Sequence, residues 1–134
     1  MTTRVPILSL KDIRKSYGPV AVLHGVDFEV YPGEVVALLG ENGAGKSTLS
    51  GIIAGSMQPS GGQMTWQGAP YEPANPREAL DSGVGLIHQE LRLLPHLTIA
   101  ENVFVGRYPM KAGRLDRKLM EERAHAGLQR LGLE

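Results

Sequence analysis

Residues 40–48 run Gly40-Glu41-Asn42-Gly43-Ala44-Gly45-Lys46-Ser47-Thr48. They match G-x-x-x-x-G-K-[ST], the phosphate-binding P-loop pattern. Each residue type has a task. The glycines admit backbone angles closed to side chains and let the main chain approach a ligand closely. Successive backbone N–H groups then line a concave nest suited to phosphate oxygens. A helix starting near Lys46 adds its unpaired N–H groups and the positive end of its dipole. Lys46 reaches the β- and γ-phosphates as a point charge, and the Ser47 hydroxyl is the expected Mg²⁺ ligand. Glu41 and Asn42 are expected to lend backbone rather than side-chain chemistry.

So short a pattern acquires meaning only from the elements that position it. Val35-Val36-Ala37-Leu38-Leu39 precedes the loop as an apolar run of strand length. Leu49, Ile52 and Ile53 follow at helical spacing, giving the strand, loop and helix that the mechanism requires. Upstream, Ile7 to Ile13 alternates apolar and polar residues, as does Val26 to Val30, and both read as strands. Tyr17-Gly18-Pro19 and Pro32-Gly33 read as turns. Gln58 to Gly62 is a turn leading into a short strand, Gln63 to Trp66. Pro76 to Leu80 reads as a short helix with Pro in its first turn. Val84 to His88 reads as a buried strand ending at Gln89. Thr98-Ile99-Ala100-Glu101 predicts a capping box. Asp116 is the expected cap of a last helix with an apolar stripe at Met120, Ala124, Leu128 and Leu131.

Composition bounds the partners. Fourteen basic and 14 acidic residues balance in 134, so no global basic field points to nucleic acid. There are no cysteines, which removes disulfides and thiolate metal sites. The longest apolar stretches are about five residues, against roughly 20 for a membrane helix. The first residues lack the apolar core of a signal peptide. Membrane association is therefore expected through a partner. From residue 107 to the end there are 7 basic and 4 acidic residues, read as a solvated helix face.

Together these residues resemble the ATP-binding subunits of ABC transporters over essentially the whole chain. Residues 40–48 look like that family's Walker A, preceded by its Pro32-Gly33-Glu34. Tyr17 in Lys15-Ser16-Tyr17-Gly18 resembles the aromatic that stacks on adenine, and Gln89 the Q-loop glutamine. Tyr17 lies 29 residues before Lys46 and Gln89 lies 43 after it, spacings that suit the family. His88-Gln89-Glu90, with Leu94-Pro95-His96-Leu97-Thr98-Ile99-Ala100-Glu101-Asn102-Val103-Phe104, resembles the branch importing ribose-, galactose- or xylose-type monosaccharides. The resemblance implies an α/β P-loop NTPase-like fold: an antiparallel β subdomain, part of the P-loop core sheet and the start of a helical subdomain. It implies ATP and Mg²⁺ as ligands, with Lys46 and Gln89 acting in hydrolysis. Residues 40–48 and Tyr17 would hold the nucleotide, and Ser47 and Gln89 the metal. Membrane permease subunits and a second ATP-binding half are the implied partners, with a periplasmic sugar-binding protein indirectly. The implied location is peripheral, on the cytoplasmic face of a bacterial membrane. Leu91 to Ala100 is the candidate permease contact.

The same resemblance implies that residues 1–134 are the N-terminal portion of one ATP-binding domain, with the signature motif, Walker B strand, catalytic glutamate and switch histidine lying beyond. Ser60-Gly61-Gly62-Gln63 imitates the signature, but its turn chemistry and its place before Gln89 argue for a plain turn. Ser50-Gly51 stands where family members carry larger residues, and Gly51 is expected to cost the helix roughly 1 kcal/mol relative to Ala. His88 is read as packed or hydrogen-bonded, and His24, His96 and His125 receive no role. A different P-loop enzyme remains open, although it leaves Tyr17 and Gln89 unexplained and no N-K-x-D-like guanine motif is present. A non-transport ABC ATPase is the other alternative.

Overall fold

The N-terminal alternation folds as strand β1 (Leu8–Tyr17), antiparallel to β2 (Val20–Val30) across the tight Gly18-Pro19 turn. A regular strand would put Leu8 and Leu10 on one face and Ile13 on the other, because side chains alternate. A bulge at Asp12 (φ 50°) adds one residue and returns Ile13 to the core face. Aspartate tolerates this left-handed backbone better than most residues. The Asp12 N–H donates to Asp27 Oδ1 at 2.7 Å, so the extra residue is not left unsatisfied.

β3 (Gly61–Trp66) and β4 (Ala69–Pro70) complete a four-stranded sheet in the order β2-β1-β3-β4. β3 begins at Gly61, two residues before the expected Gln63. Here the signature-like tetrapeptide is structural. Gly62 has φ 96°, and a Cβ there would run into the Asp12 carbonyl at the bulge.

Helices α1 (Lys46–Ile53) and α2 (Pro76–Asp81) supply the rest of the core. Leu49 and Ile52 of α1 join Leu8, Leu10, Ile13, Leu23, Met64, Tyr71 and Ala79 in one buried cluster. The α1 C-terminus is closed by the amides of Gly55 and Ser56, which donate to the carbonyls of Ile52 (3.1 Å) and Gly51 (2.9 Å). This Schellman closure needs a left-handed residue, and Gly55 has φ 72°. Tyr71 Oη donates to the Ile53 carbonyl at 2.9 Å, and burial raises the pKa of its phenol. Asn75 caps α2, which has Pro76 in its first turn, as the sequence predicts.

Residues 4–90 and 93–133 are those the computed structural model describes, and the chain divides into two compact units after Ile87. Two expected strands do not form in the first unit. Val35 to Leu39 and Val84 to Ile87 carry no strand pairing. Val35 is 98% exposed, Leu39 90% and Ile87 92%. A strand exists only through its ladder, and among the described residues neither segment finds a neighbouring strand. His88, expected to be packed at the end of the second segment, is exposed.

The second unit contains α3 (Ile99–Val103), the short hairpin β5 (Met110–Lys111) and β6 (Arg114–Leu115), and α4 (Arg117–Arg130). Asp116 caps α4 as expected, and Met120 and Ala124 are buried, whereas Leu131 lies past the helix end and is exposed. The capping box at α3 is complete: Thr98 Oγ1 accepts from the Glu101 amide at 3.2 Å, and Glu101 Oε2 accepts from the Thr98 amide at 2.8 Å. Asn102 fastens the preceding loop. Its Oδ1 accepts from the Leu94 amide at 2.8 Å, while Nδ2 faces the carbonyls of Leu94, Leu97 and Thr98 at 3.0–3.1 Å. Residues 94–104, which resemble the monosaccharide-importer branch in sequence, thus form a self-bonded loop and cap.

The Thr98 amide and then its hydroxyl hold the Glu101 pKa below the ordinary carboxylate value. A lowered folded pKa stabilises above the unfolded pKa and is lost as pH falls through the folded one. Exchange protection of the Thr98 amide, corrected for intrinsic rate, should therefore be full at neutral pH and fall on acidification below the carboxylate range. Glu101→Gln keeps an acceptor and should abolish that dependence. Unchanged acid sensitivity in the variant would assign it to another group. Among the described residues, no helix is long and apolar enough to cross a membrane.

Candidate functional site

The P-loop packs against β2, and two local features permit the approach. Ser16 pairs with Ala21 and Lys15 with Leu23, so Val22 is the extra residue of a bulge. Bulges redirect a strand locally. Opposite this bulge sits Gly45, the N-cap of α1, with φ 89°. A Cβ at Gly45 would stand 2.7 Å from Leu23 Cδ2 and 3.5 Å from Val22 Cγ1. The third glycine of the motif thus holds a left-handed backbone angle where a side chain would press on Leu23.

The loop folds on itself through the Ala44 amide, which donates to the Glu41 carbonyl at 3.1 Å. Among the described residues, no side chain caps α1 at its N-terminus. Its first-turn amides border an open cleft of about 320 Å³, lined by Val22 together with Asn42, Gly43 and Gly45 to Thr48. Lys46 is folded over the loop. Its ammonium donates to the Gly40 carbonyl and, at 2.8 Å, to the Glu41 carbonyl. Two of its three protons are thereby used, leaving one for a ligand before any contact is broken. Ser47 is exposed on the cleft wall. Among the described residues, no carboxylate lines this cleft.

Tyr17 stands at the hairpin end of β1, opposite Val20, and does not line the cleft. It is 50% exposed and is not a core residue. Lys15 Nζ covers one face of the ring at 5.3 Å from its centroid. Gln89 lies in an exposed bend just inside the second unit, so the loop residues fall in one unit and Gln89 in the other. Of the candidate permease contact, Leu91 lies outside the described residues; Leu93 and Leu94 are exposed. The sequence alone points to no role for Val22 or Lys15. A lone valine in an alternating strand carries no local sign of a bulge.

A family model described as "ABC transporter" matches residues 23–134. The chain belongs to the ABC transporter family. It is 48% identical over 128 residues to "Ribose import ATP-binding protein RbsA 1" of Rubrobacter xylanophilus, a match covering 96% of this chain and 26% of that protein. Against the ribose import ATP-binding protein RbsA 1 of Streptomyces coelicolor the identity is 47%, covering 99% of this chain and 26% of the relative. The Yersinia pestis RbsA is 44% identical over 98% of this chain and 26% of its own length. This chain thus spans about a quarter of the curated relatives it matches. Among solved structures, the MJ1267 ATP-binding cassette of an ABC transporter superposes with a TM-score of 0.81 at 27% identity, over 96% of this chain and 55% of that one. The MJ0796 cassette bound to ADP and Pi gives a TM-score of 0.74 at 27% identity, over 95% and 58%. The fold is therefore that of the P-loop ATP-binding cassettes, over roughly half of such a domain.

Proposed function

We propose that this chain is the N-terminal portion of an ATP-binding domain that binds ATP·Mg²⁺ and, within the longer protein, powers import of a ribose-like monosaccharide. The cleft between Val22 and the P-loop, edged by uncapped helix amides and Lys46, carries this reading. The amides of residues 43–48 cradle the β- and γ-phosphates, and Lys46 exchanges loop carbonyls for phosphate oxygen. Mg²⁺ fits a donor set of one serine hydroxyl plus phosphates, because it binds through few protein ligands and keeps phosphate and water in its shell. When bound it neutralises charge on the phosphates. Ser47 is its proposed ligand on the loop; by the family resemblance Gln89 would be a second and would orient the attacking water. Tyr17 offers adenine its face away from Lys15. Phosphoryl transfer demands positioning and charge stabilisation above all.

The names of the ribose import relatives support the sugar class. Permease subunits, reached through the Leu91 to Ala100 segment, and a second ATP-binding half follow as partners, with a periplasmic sugar-binding protein indirectly. The place of action is then the cytoplasmic face of the membrane.

A cleft with no carboxylate among its described lining residues holds nucleotide but supplies no general base for the attacking water. The purified chain should therefore bind ATP·Mg²⁺ in calorimetry and release no phosphate above the buffer blank. Measurable turnover would overturn this division of labour.

A further inference from the structure

Gly51 sits buried in the middle of α1, where an alanine would favour the helix by about 1 kcal/mol. Its surroundings explain the choice. A Cβ at Gly51 would stand 2.8 Å from Met57 Cε and 3.4 Å from Met57 Sδ. The thioether of Met57 thus lies in the notch that Gly51 leaves on the helix. From there its sulfur accepts a hydrogen bond from Tyr17 Oη at 3.3 Å. The next residue makes a second tie, because the Gln58 carbonyl accepts from Lys15 Nζ at 2.6 Å, and the same ammonium covers one face of the Tyr17 ring. An aromatic that is half exposed on a hairpin tip would otherwise be free to change rotamer. Here its hydroxyl is anchored and one face is occupied, leaving a single face open.

We infer that Met57 is the positioning residue of Tyr17, with Gly51 providing the notch that seats it. This segment thereby ties the adenine platform to the P-loop helix, and the inference rests on the proposed adenine role of Tyr17. Met57 does not touch nucleotide. It acts by fixing the ring plane, so that ordering the tyrosine is not charged to binding. A thioether suits the place because it is flexible, apolar enough for a half-buried site, and still an acceptor next to an aromatic.

The test uses Met57→Leu, which keeps the apolar volume and removes the acceptor. ATP, ADP and AMP should all weaken by about fivefold, the scale of one net hydrogen bond. Tripolyphosphate, which has no base, should bind as before. In a Tyr17→Phe background the hydroxyl is already gone, and Met57→Leu should then have no further effect. Gly51→Ala should reproduce the Met57→Leu pattern by displacing the thioether. Equal weakening of tripolyphosphate, or an undiminished effect in the Tyr17→Phe background, would make Met57 a general packing residue and overturn the inference. Unchanged nucleotide affinity in Met57→Leu, while Tyr17→Ala weakens all three nucleotides, would overturn it as well. If Tyr17→Ala itself leaves affinity unchanged, or if the unaltered chain binds no nucleotide, the adenine reading fails first and the inference falls with it.

Discussion

Lys46→Ala is expected to lower ATP affinity at least tenfold, roughly 1.4 kcal/mol, and to spare AMP. The side chain is the only cation among the described residues lining the cleft. AMP has no β- or γ-phosphate for that charge to meet. Truncation also frees the Gly40 and Glu41 carbonyls, which water then solvates in this open loop. Circular dichroism should barely change, because the ammonium bonds to the loop and not into the core. Tyr17→Ala gives the contrasting pattern, weakening ATP, ADP and AMP by a common factor, since a stacked base is worth about 1–3 kcal/mol whatever phosphates follow. With half its surface already in water, Tyr17 should cost little stability when removed. Calorimetric titration of the three nucleotides against both variants decides the assignment. Equal ATP affinity in wild type and Lys46→Ala would remove the lysine from the site.

Ile52→Ala should destabilise the fold far more than either of these substitutions, by about 2–5 kcal/mol. The side chain is 1% exposed and lies in the cluster shared by the sheet and α1. Its loss leaves a hole that the helix, fixed at both ends, closes poorly. Against a domain stability of about 5–15 kcal/mol this is a large fraction. Trp66 reports the event directly. It is the single tryptophan of the chain and donates from Nε1 to the Ser82 carbonyl at 2.9 Å, within the same unit. Urea unfolding followed by its fluorescence should show the midpoint falling sharply. Leu39→Ala serves as the contrast. That leucine is 90% exposed, so its truncation should stay within about 0.5 kcal/mol. A large loss from Leu39→Ala would mean that the segment is packed after all.

The contrast between Ile52 and Leu39 also shows what the sequence disclosed. Features decided within a few residues were legible. The glycine-lysine-serine loop, the Pro76 helix start, the Thr98–Glu101 box and the Asp116 cap all depend on neighbours three or four positions away. Apolar character alone misled at Val35 to Leu39 and Val84 to Ile87. Such runs are buried only when another strand lies alongside, and that is decided by distant chain. The Val22 and Asp12 bulges, the lysine pose over the loop, and the Met57 seat under Tyr17 were likewise hidden, since sequence spacing alone does not reveal which partners meet. Gly51 shows this in a single position. Read alone it is a weak spot in a helix; read with Met57 it is a space kept empty for a thioether. Residues 40–48 stand together in one unit, while any role for Gln89 beside them rests on family resemblance.

The two bare apolar segments have a colloidal consequence. Val35, Val36, Leu39 and Ile87 present β-branched or leucine side chains beside backbone groups that pair with no strand among the described residues. Exposed apolar segments with unpaired backbone groups can recruit an extended chain that comes near, including another copy. Charge repulsion offers no protection, because the formal net charge at neutral pH is zero. Handled by itself at high concentration, this chain is therefore a candidate for edge-to-edge stacking, and a flanking polypeptide that pairs with those edges would act as its solubiliser.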